Sequence, residues 1–498
     1  MENKADQKQI RLDKLKKIRK LGINPYPYSF RRSHNIPELY ENAEAILQSQ
    51  EKITVAGRLL AVRGKGKASF GNIQSQHSRL QIYVRIDAVG ESSFETFKLC
   101  DIGDHLGISG TLMYTKTGEL TLRANRIELL SKSIRQMPVP KVEEKEGKLF
   151  IHDEVKNKEL RYRQRYLDLI LNPKVAEVFQ KRALVFQTIR DYLRNEDFLE
   201  VETPTLQPIY GGANATPFVA HHKALDQNFF LRISNELYLK RLIAGGFDAV
   251  FEFVKDFRNE GIDRTHNPEF SMLEFYQAYV DYTEIMRHTE NILECCAKAV
   301  NNSTKVEYEG NIIDLKAPWP RLSMLDAIQK LGGISIDKMN DAEVKNLLMK
   351  NGWELDTEYN RGLATQLIFE ETCENKLIQP IFIIDHPKET SPLCKPNREN
   401  PELLERFEVY INGWEIGNAY SELNDPVIQR RLMEEQVERG RGGEKETQPL
   451  DEDFLRAMEY GMPPMGGVGL GIDRIVMLLT GQSTIRDVIL FPTMRPES

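Results

Sequence analysis

The sequence predicts an α+β protein with two folded regions: a small all-β barrel near the N-terminus, then a larger domain of antiparallel strands flanked by helices. Three observations carry this expectation. From Ile53 to about Leu130 the pattern is all β. Two later stretches, Glu252 to Tyr279 and 405–425, each read as strand, turn, strand, with charged and aromatic residues at alternate positions. Long segments of helical periodicity lie around them.

Composition sets the limits. A chain of 498 residues has room for two or three domains and a large core. A net charge of −7 excludes a polybasic nucleic-acid coat. The charge is uneven, however. Residues 1–32 hold ten Lys/Arg against Glu2, Asp6 and Asp13, a local +7 that attracts phosphates at long range or simply solvates a helix face. The five cysteines, Cys100, Cys295, Cys296, Cys373 and Cys394, have neither metal spacing nor a paired framework, which suits a reducing compartment. No apolar run spans a bilayer, and the N-terminus lacks the apolar segment of a secretion signal, so a cytoplasmic protein with no membrane partner is expected.

Residues 1–51 form a basic helix and connector. Ile10, Leu15, Ile18 and Leu21 recur at helical spacing, and the stripe is expected to dock on the next domain while the bases stay free. In 52–133 five strand candidates (ITVAGRLLAV, ASFGNIQ, RLQIYVRID, HLGISGTLMYT and GELTLRANRIELL) suit a closed barrel of the oligonucleotide-binding type. Parity puts Leu80, Ile82, Val84 and Ile86 on one face and Gln81, Tyr83 and Arg85 on the other. Arg63 and Phe70 flank a glycine-rich hairpin beside them. Such a face offers single-stranded bases a stacking surface worth roughly 1–3 kcal/mol per base; an ordinary polar outer surface fits the segment equally well. Residues 134–158, with Pro138, Pro140 and a charge run, read as a linker, and 159–498 as the second domain. That domain opens on a long helix ending in FLEVETPTL. Pro204 inside this strand pattern places it at an edge or a break, a candidate subunit contact. Roughly 300–375 reads as a helical insertion without chemistry.

Candidate site residues come from parity. In Glu252–Tyr279, Arg258 and Glu260 share a face of the first strand. Phe270, Met272, Glu274 and Tyr276 share a face of the second, and a polar loop holding His266 and Asn267 joins the two. A sheet face mixing charge with aromatic surface suits a charged, partly flat ligand. In 405–425, Asn412-Gly413 fixes a two-residue turn that pairs Tyr410 with Glu415 and places Glu408 diagonal to Glu415. Two carboxylates on one face repel unless a cation sits between them, and oxygen ligands of this kind suit Mg²⁺ beside substrate phosphates. A bulge at Gly417 would swing Asn418, Tyr420 and Glu422 onto the face of Glu415. Near the C-terminus GVGLGIDRIVML is a glycine-rich strand entering a helix. Arg474 lies in the first turn, where anions are favoured. It is neither a dinucleotide fingerprint nor a Walker motif.

Together these segments resemble the class II aminoacyl-tRNA synthetases, and among them the lysyl-tRNA synthetases. FLEVETPTL with its helix, FRNEGIDRTHNPEF and GVGLGIDRIVML look like the three class signatures. RYRQRYLDLI, SNELYLKR and EIGNAYSELND are similar to stretches of the lysine enzymes, so the resemblance covers nearly the whole chain. It implies an OB-fold anticodon-binding domain, a class II catalytic domain and a homodimer. It implies ATP as substrate with Mg²⁺, and L-lysine and tRNA(Lys) as partners. Arg258 would hold the α-phosphate and the substrate carboxylate, Glu260 the adenine amino group, and Phe270 the ring. His266, Asn267 and Arg474 would meet the phosphate tail, and Glu408 and Glu415 the metal. Gly212 and Glu236 would take the α-ammonium, with Asn418 near the carboxylate. Glu274, Tyr276, Tyr420 and Glu422 would line the side-chain pocket, and Arg63, Phe70 and Gln81 would contact the anticodon. One position departs from the pattern: some bacterial members carry a base immediately before the histidine, and here it is Thr265, with Arg264 one residue earlier.

The implied chemistry is formation of lysyl-adenylate, then transfer to the 3′ end of tRNA. Alignment and charge neutralisation by Arg258, Arg474 and Mg²⁺ do the work, without a protein nucleophile. The rival readings are an aspartyl- or asparaginyl-type ligase, a non-catalytic nucleic-acid-binding relative, and lysylation of a protein in place of tRNA. The acidic pocket candidates disfavour the first, the intact Arg258, Glu260 and Arg474 the second, and the complete barrel the third.

Overall fold

The computed structural model of the chain describes all residues except 1, 65, 140, 146–147, 153–156, 356, 442–448 and 498. The chain divides into two compact units, Met1–Ala176 and Glu177–Ser498. Part of the expected linker and most of the 440–449 loop lie outside the described residues.

In the first unit, β1 (Ile53–Arg63), β2 (Ala68–Ser75), β3 (Ser78–Arg85), β4 (His105–Tyr114) and β5 (Leu120–Ser131) close into a barrel of order β1-β2-β3-β5-β4. Leu80, Ile82 and Val84 point inward and are fully buried, as the alternation requires. Ile86 does not continue that strand: it opens a helical turn, Ile86–Val89, followed by a helix, Glu91–Leu99. The buried Phe94 and Phe97 of this unpredicted connection join the barrel core. Helix α1 (Glu2–Lys20) buries Leu15 and Ile18, while Ile10 and Leu21 stay exposed. Two of its bases are not free. Arg11 donates to the carbonyls of Ile102, Ser133 and Arg135, and Lys14 pairs with Asp101 at 2.6 Å. The sequence reading took all the bases as solvated because it could not see these acceptors. Within the linker the backbone pairs Lys141–Lys145 with Lys148–His152 as a hairpin.

A buried ion triad ties the end of β5 to the loop before β4. The Lys132 ammonium has no exposed side-chain surface. It lies 2.6 Å from Asp101 and 2.9 Å from Asp104, which also accepts the backbone N–H of Ser133. Burial raises the pKa of Asp104, with Lys132 opposing the shift; Asp101 is held below its ordinary value, its two lysine partners outweighing burial. Removing the only cation common to both acids should be costly. Lys132→Met is expected to lower unfolding stability by on the order of 3 kcal/mol in urea titrations of the full chain. A change below about 1 kcal/mol would mean the triad behaves like a surface pair.

The second unit is built on one eight-stranded sheet. Its strands are β6 (Leu199–Glu200), β7 (Ala249–Phe257), β8 (Glu269–Ala278), β9 (Arg321–Ser323), β10 (Ile381–Pro387), β11 (Leu403–Ile411), β12 (Trp414–Ser421) and β13 (Met465–Gly471). The order is β9-β10-β11-β12-β13-β8-β7-β6. Of FLEVETPTL, Leu199 and Glu200 pair at the edge of this sheet, Leu206 pairs with Leu231 in a separate three-stranded sheet, and Pro204 lies between them. Parity divides the faces. Phe251, Leu273, Phe275, Phe407, Val409, Val468 and Leu470 point to one side. There they pack on α2 (Pro173–Asn195), α4 (Tyr282–Asn301) and α6 (Ile472–Thr480) in the main apolar core. The opposite face carries the charged alternates. Asp473, in the first turn of α6, pins this layer: it accepts from Arg182 of α2 at 2.5 Å and from the Ser271 N–H of β8 at 2.7 Å. The insertion is not purely helical. It contains the hairpin Lys305–Tyr308 with Asn311–Asp314.

Candidate active site

The charged sheet face is the floor of a cavity of about 440 Å³. Every residue assigned above to the ligand site lines it except Glu408. The arrangement follows from strand register. Across the sheet, Tyr276, Gly467, Tyr420 and Arg406 form one row, and Glu274, Gly469, Asn418 and Glu408 form the next. The central strand, β13, therefore contributes no side chain between two strands dense with polar groups. A Cβ on Gly467 would overlap the Tyr276 ring and come within 2.7 Å of Glu422 Oε1.

The bulge expected at Gly417 exists, one residue earlier. Tyr410 pairs with Glu415 and Val409 with Gly417, so Ile416 is the extra residue. It brings Glu415, Asn418, Tyr420 and Glu422 to one cavity, as two residues opposing one must reverse the alternation. Arg258 and Glu260, in contrast, lie past the end of β7 and not on a strand face. The Arg258 N–H bonds to the Pro268 carbonyl across the mouth of the loop, and its guanidinium stacks 5.1 Å over the Phe270 ring.

At the acidic end of the cavity Glu236, Glu274 and Glu422 are buried, with Asp256 beside them. Glu274 accepts from the Ser234 hydroxyl and from the Tyr276 hydroxyl, each at 3.0 Å. Burial, with Asp256 and Glu236 nearby, pushes its pKa well above the carboxylate range. Glu236 and Glu422 flank Lys240 of helix α3 (Glu236–Ala244), with Lys240 Nζ 2.5 Å from Glu236 Oε1 and in contact with Glu422 Oε2. A resident lysine thus already meets one oxygen of Glu422, which lines the cavity as expected. Burial pushes the Glu422 pKa up to about 8, with Lys240 opposing that rise and Glu236 adding to it.

Glu408 also differs from expectation. One of its oxygens accepts from Arg406 at 2.5 Å and the other from the Tyr410 hydroxyl at 2.8 Å. Arg406 donates as well to the Asn418 side-chain oxygen at 3.1 Å, which turns the Asn418 amide NH₂ away from the arginine. Glu415 lies close enough for burial and Glu408 to raise its pKa. Two hard carboxylates near a cavity, one partly unneutralised, suit a divalent cation that takes its remaining ligands from phosphate and water.

At the phosphate end Arg474 donates to the Glu415 carbonyl, and its guanidinium lies 3.4 Å from His266 Nε2. His266 is oriented by Asp263, 2.7 Å from Nδ1. Asp263 is held at about 2, because hydrogen bonds from His266 and Thr265 outweigh its burial. Thr265, in the position where some relatives carry a base, donates to Asp263 at 3.2 Å. Arg264 turns away to the Ser483 carbonyl and Glu309. The Asn267 side chain is spent on backbone, donating to the Glu269 carbonyl and accepting from the Thr493 N–H.

Sequence reading missed Lys240, Ser234, Arg406 and Gly467, and also Gln366 of the insertion, which lines the cavity from α5 (Arg361–Thr372). Signals existed for some of them. Glu236 and Lys240 are a helical i,i+4 pair. Arg406 shares parity with Glu408, and Gly467, Gly469 and Gly471 alternate as a bare strand face does. Nothing local marks Gln366.

On the barrel, Arg63, Phe70, Tyr83 and Arg123 are successive partners across four strands. Phe70 and Tyr83 lie 4.6 Å apart with 30° between their planes. Gln81 sits on the same face, its amide donating to Thr121 at 2.8 Å. Tyr83 and Arg123 extend the platform expected from Arg63, Phe70 and Gln81.

A cavity with arginines at one end and buried carboxylates at the other, on the sheet of the second unit, in a chain whose first unit is an oligonucleotide-type barrel, is the arrangement of an ATP-dependent ligase of the class II synthetase kind. The comparison with known families agrees. Residues 157–495 match tRNA synthetases class II (D, K and N), and 53–130 match the OB-fold nucleic acid binding domain, so the chain belongs to the class II tRNA synthetases. Its relatives are narrower in kind. A lysine–tRNA ligase from Christiangramia forsetii is 49% identical over 100% of this chain and 87% of its own length. Those from Pelotomaculum thermopropionicum and Moorella thermoacetica are each 47% identical, covering 98% and 100% of this chain and 94% and 99% of their own.

The bare strand gives a direct test. Gly467→Ala should displace Tyr276 and Glu422 and raise KM for the amino acid at least about tenfold, a loss of ~1.4 kcal/mol, with much less effect on KM for ATP. Equal effects on both would show that the substitution disturbs the whole sheet.

Proposed function

We propose that this protein is a lysine–tRNA ligase: it activates L-lysine with ATP and transfers the lysyl group to the 3′ end of tRNA. The observation that carries the reading is the acidic amino-acid end. Glu236, Glu274 and Glu422 are buried there with one resident cation. An aspartate or asparagine side chain would leave buried carboxylates unpaired, and a second ammonium would not.

In the first step a lysine carboxylate oxygen bonds to the α-phosphorus of ATP, the Pα–O–Pβ bond breaks, and pyrophosphate leaves. Arg258 is assigned to the α-phosphate and the substrate carboxylate, Phe270 to the adenine ring and Glu260 to its amino group. Arg474 and His266 are assigned to the phosphate tail, with Asn267 holding the loop. Asn418, whose amide NH₂ donates to the Tyr420 hydroxyl at 3.2 Å, is assigned to the substrate carboxylate. Gly212 and Glu236 receive the α-ammonium. Glu274 and Glu422 receive the ε-ammonium, with Tyr276 and Tyr420 closing the pocket around the methylene chain. Glu415 and Glu408 would hold Mg²⁺, which would supply positive charge against the developing negative charge. In the second step a terminal ribose hydroxyl of tRNA attacks the acyl carbon and AMP leaves.

The barrel row Arg63–Phe70–Tyr83–Arg123, with Gln81, is the proposed anticodon platform. Leu184, Leu199 and Leu206 remain exposed around the edge strand and its helix, which supports assembly as a homodimer there. Five unpaired cysteines fit a cytoplasmic location. Among the described residues no helix is long and apolar enough to cross a membrane.

ATP–pyrophosphate exchange should depend on lysine and not on aspartate or asparagine, and exchange with either of those instead would overturn the reading. Glu422→Gln should raise KM for lysine far more than KM for ATP; an unchanged lysine KM would remove Glu422 from the pocket. Because a carboxylate must be ionised to hold an ammonium, and burial raises the pKa values of Glu274 and Glu422, kcat/KM for lysine should rise with pH above the ordinary carboxylate range. Phe70→Ala should weaken tRNA binding by roughly 1–3 kcal/mol without changing lysine-dependent exchange.

A further inference from the structure

We propose that Lys240 is a positioning and specificity residue of the amino-acid pocket, a resident ammonium that leaves three carboxylates with two net negative charges. Two is the number of ammonium groups on free lysine, and the inference rests on reading the cavity as the lysine site.

The geometry makes Lys240 a divider and not a competitor. Its side chain is fully buried, and it lies between Glu236 on its own helix and Glu422 just past β12. It occupies one oxygen of each. Glu422 Oε1 has no hydrogen-bond partner and is the atom that a Cβ on Gly467 would approach. That oxygen therefore faces the bare strand and the cavity. Among the described residues Glu274 meets the hydroxyls of Ser234 and Tyr276 and no cation. Of the other charges nearby, Arg406 holds Glu408 and Asn418, and Asp256, which also lines the cavity, is faced by Arg258 and by Arg232 at 3.7 Å. Burial opposes the charge on Lys240, but Glu236 and Glu422 more than offset this and raise its pKa. It remains an ammonium throughout the working pH range.

Without Lys240 the pocket would hold three negative charges. A bound lysine could match two, and the third carboxylate would have to take up a proton, since an unpaired buried charge is strongly disfavoured. Lys240 also fixes the rotamers of Glu236 and Glu422 relative to one another, and so sets the separation of the two ammonium subsites. A neutral residue of the same length would fill the space without either effect.

The test uses the full-length enzyme in lysine-dependent pyrophosphate exchange across pH. Lys240→Met should raise KM for lysine by at least about tenfold, more than it lowers kcat. It should also move the acid limb of kcat/KM for lysine to higher pH, because Glu422 loses the cation that favours its ionised form. Lys240→Met/Glu236→Gln restores two net charges, and the acid limb should return toward its original position. This double variant also serves if the single one does not fold, by comparison with Glu236→Gln alone. An acid limb unmoved in Lys240→Met, or in the double variant relative to Glu236→Gln, would make Lys240 a core spacer and overturn the proposal, even where Glu422→Gln still raises the lysine KM. If Glu422→Gln and Glu274→Gln both leave that KM unchanged, the lysine reading of the cavity itself falls.

Discussion

A strand with one bare face is the constraint on which the site depends. Gly467, Gly469 and Gly471 sit between β8 and β12, and both neighbours carry large polar side chains toward the same side. Any Cβ at Gly467 would occupy the space where Tyr276 and Glu422 meet. The opposite face of the same strand, Val468 and Leu470, is buried in the core. One strand thus anchors the sheet with its even-numbered face and opens it with its odd-numbered one. The cost is a backbone held without side-chain packing on one side, and the surrounding register and the Asp473 clamp on α2 and β8 offset it.

A floor of this kind concentrates charge, and the fold compensates each carboxylate differently. Glu236 and Glu422 share an internal lysine. Glu408 has a guanidinium and a phenol, and Glu274 has two hydroxyls and no cation. Arg406 links two functions, because the group that neutralises Glu408 also orients the Asn418 amide. These pairings are weak sources of net stability once desolvation is counted. What they provide is orientation: each acid is held by named partners, and for Glu422 one oxygen is left toward the bare strand.

Much of this was legible in the sequence, for a physical reason. Strand parity is rigid, so Phe270, Glu274 and Tyr276 could be placed together from spacing alone, and Asn412-Gly413 set the register of the second hairpin. The barrel strands were bounded by turn residues and fell within a residue or two of their observed ends. What parity could not supply was the end of a strand. Arg258 and Glu260 look strand-like but lie in a loop, and Ile86 looks strand-like but begins a helix. Nor could it reveal partners distant in sequence. Lys240 is visible as a helical neighbour of Glu236, yet its contact with Glu422 spans a large part of the chain. The acceptors of Arg11 and Lys14 likewise lie 87 to 124 residues farther along the chain.

The two ends of the cavity are made of different material. The amino-acid end stands on adjacent strands and the first turn of a helix, where backbone hydrogen bonds fix every side chain's origin. The nucleotide end draws Glu260 and His266 from an exposed loop held by Asp263 and the Arg258–Pro268 bridge. On the proposed assignment, lysine would rest on sheet and helix and ATP partly on a loop. Selection of the amino acid would then depend on strand register, and the hold on the nucleotide on the Asp263 and Arg258–Pro268 hydrogen bonds that shape the loop.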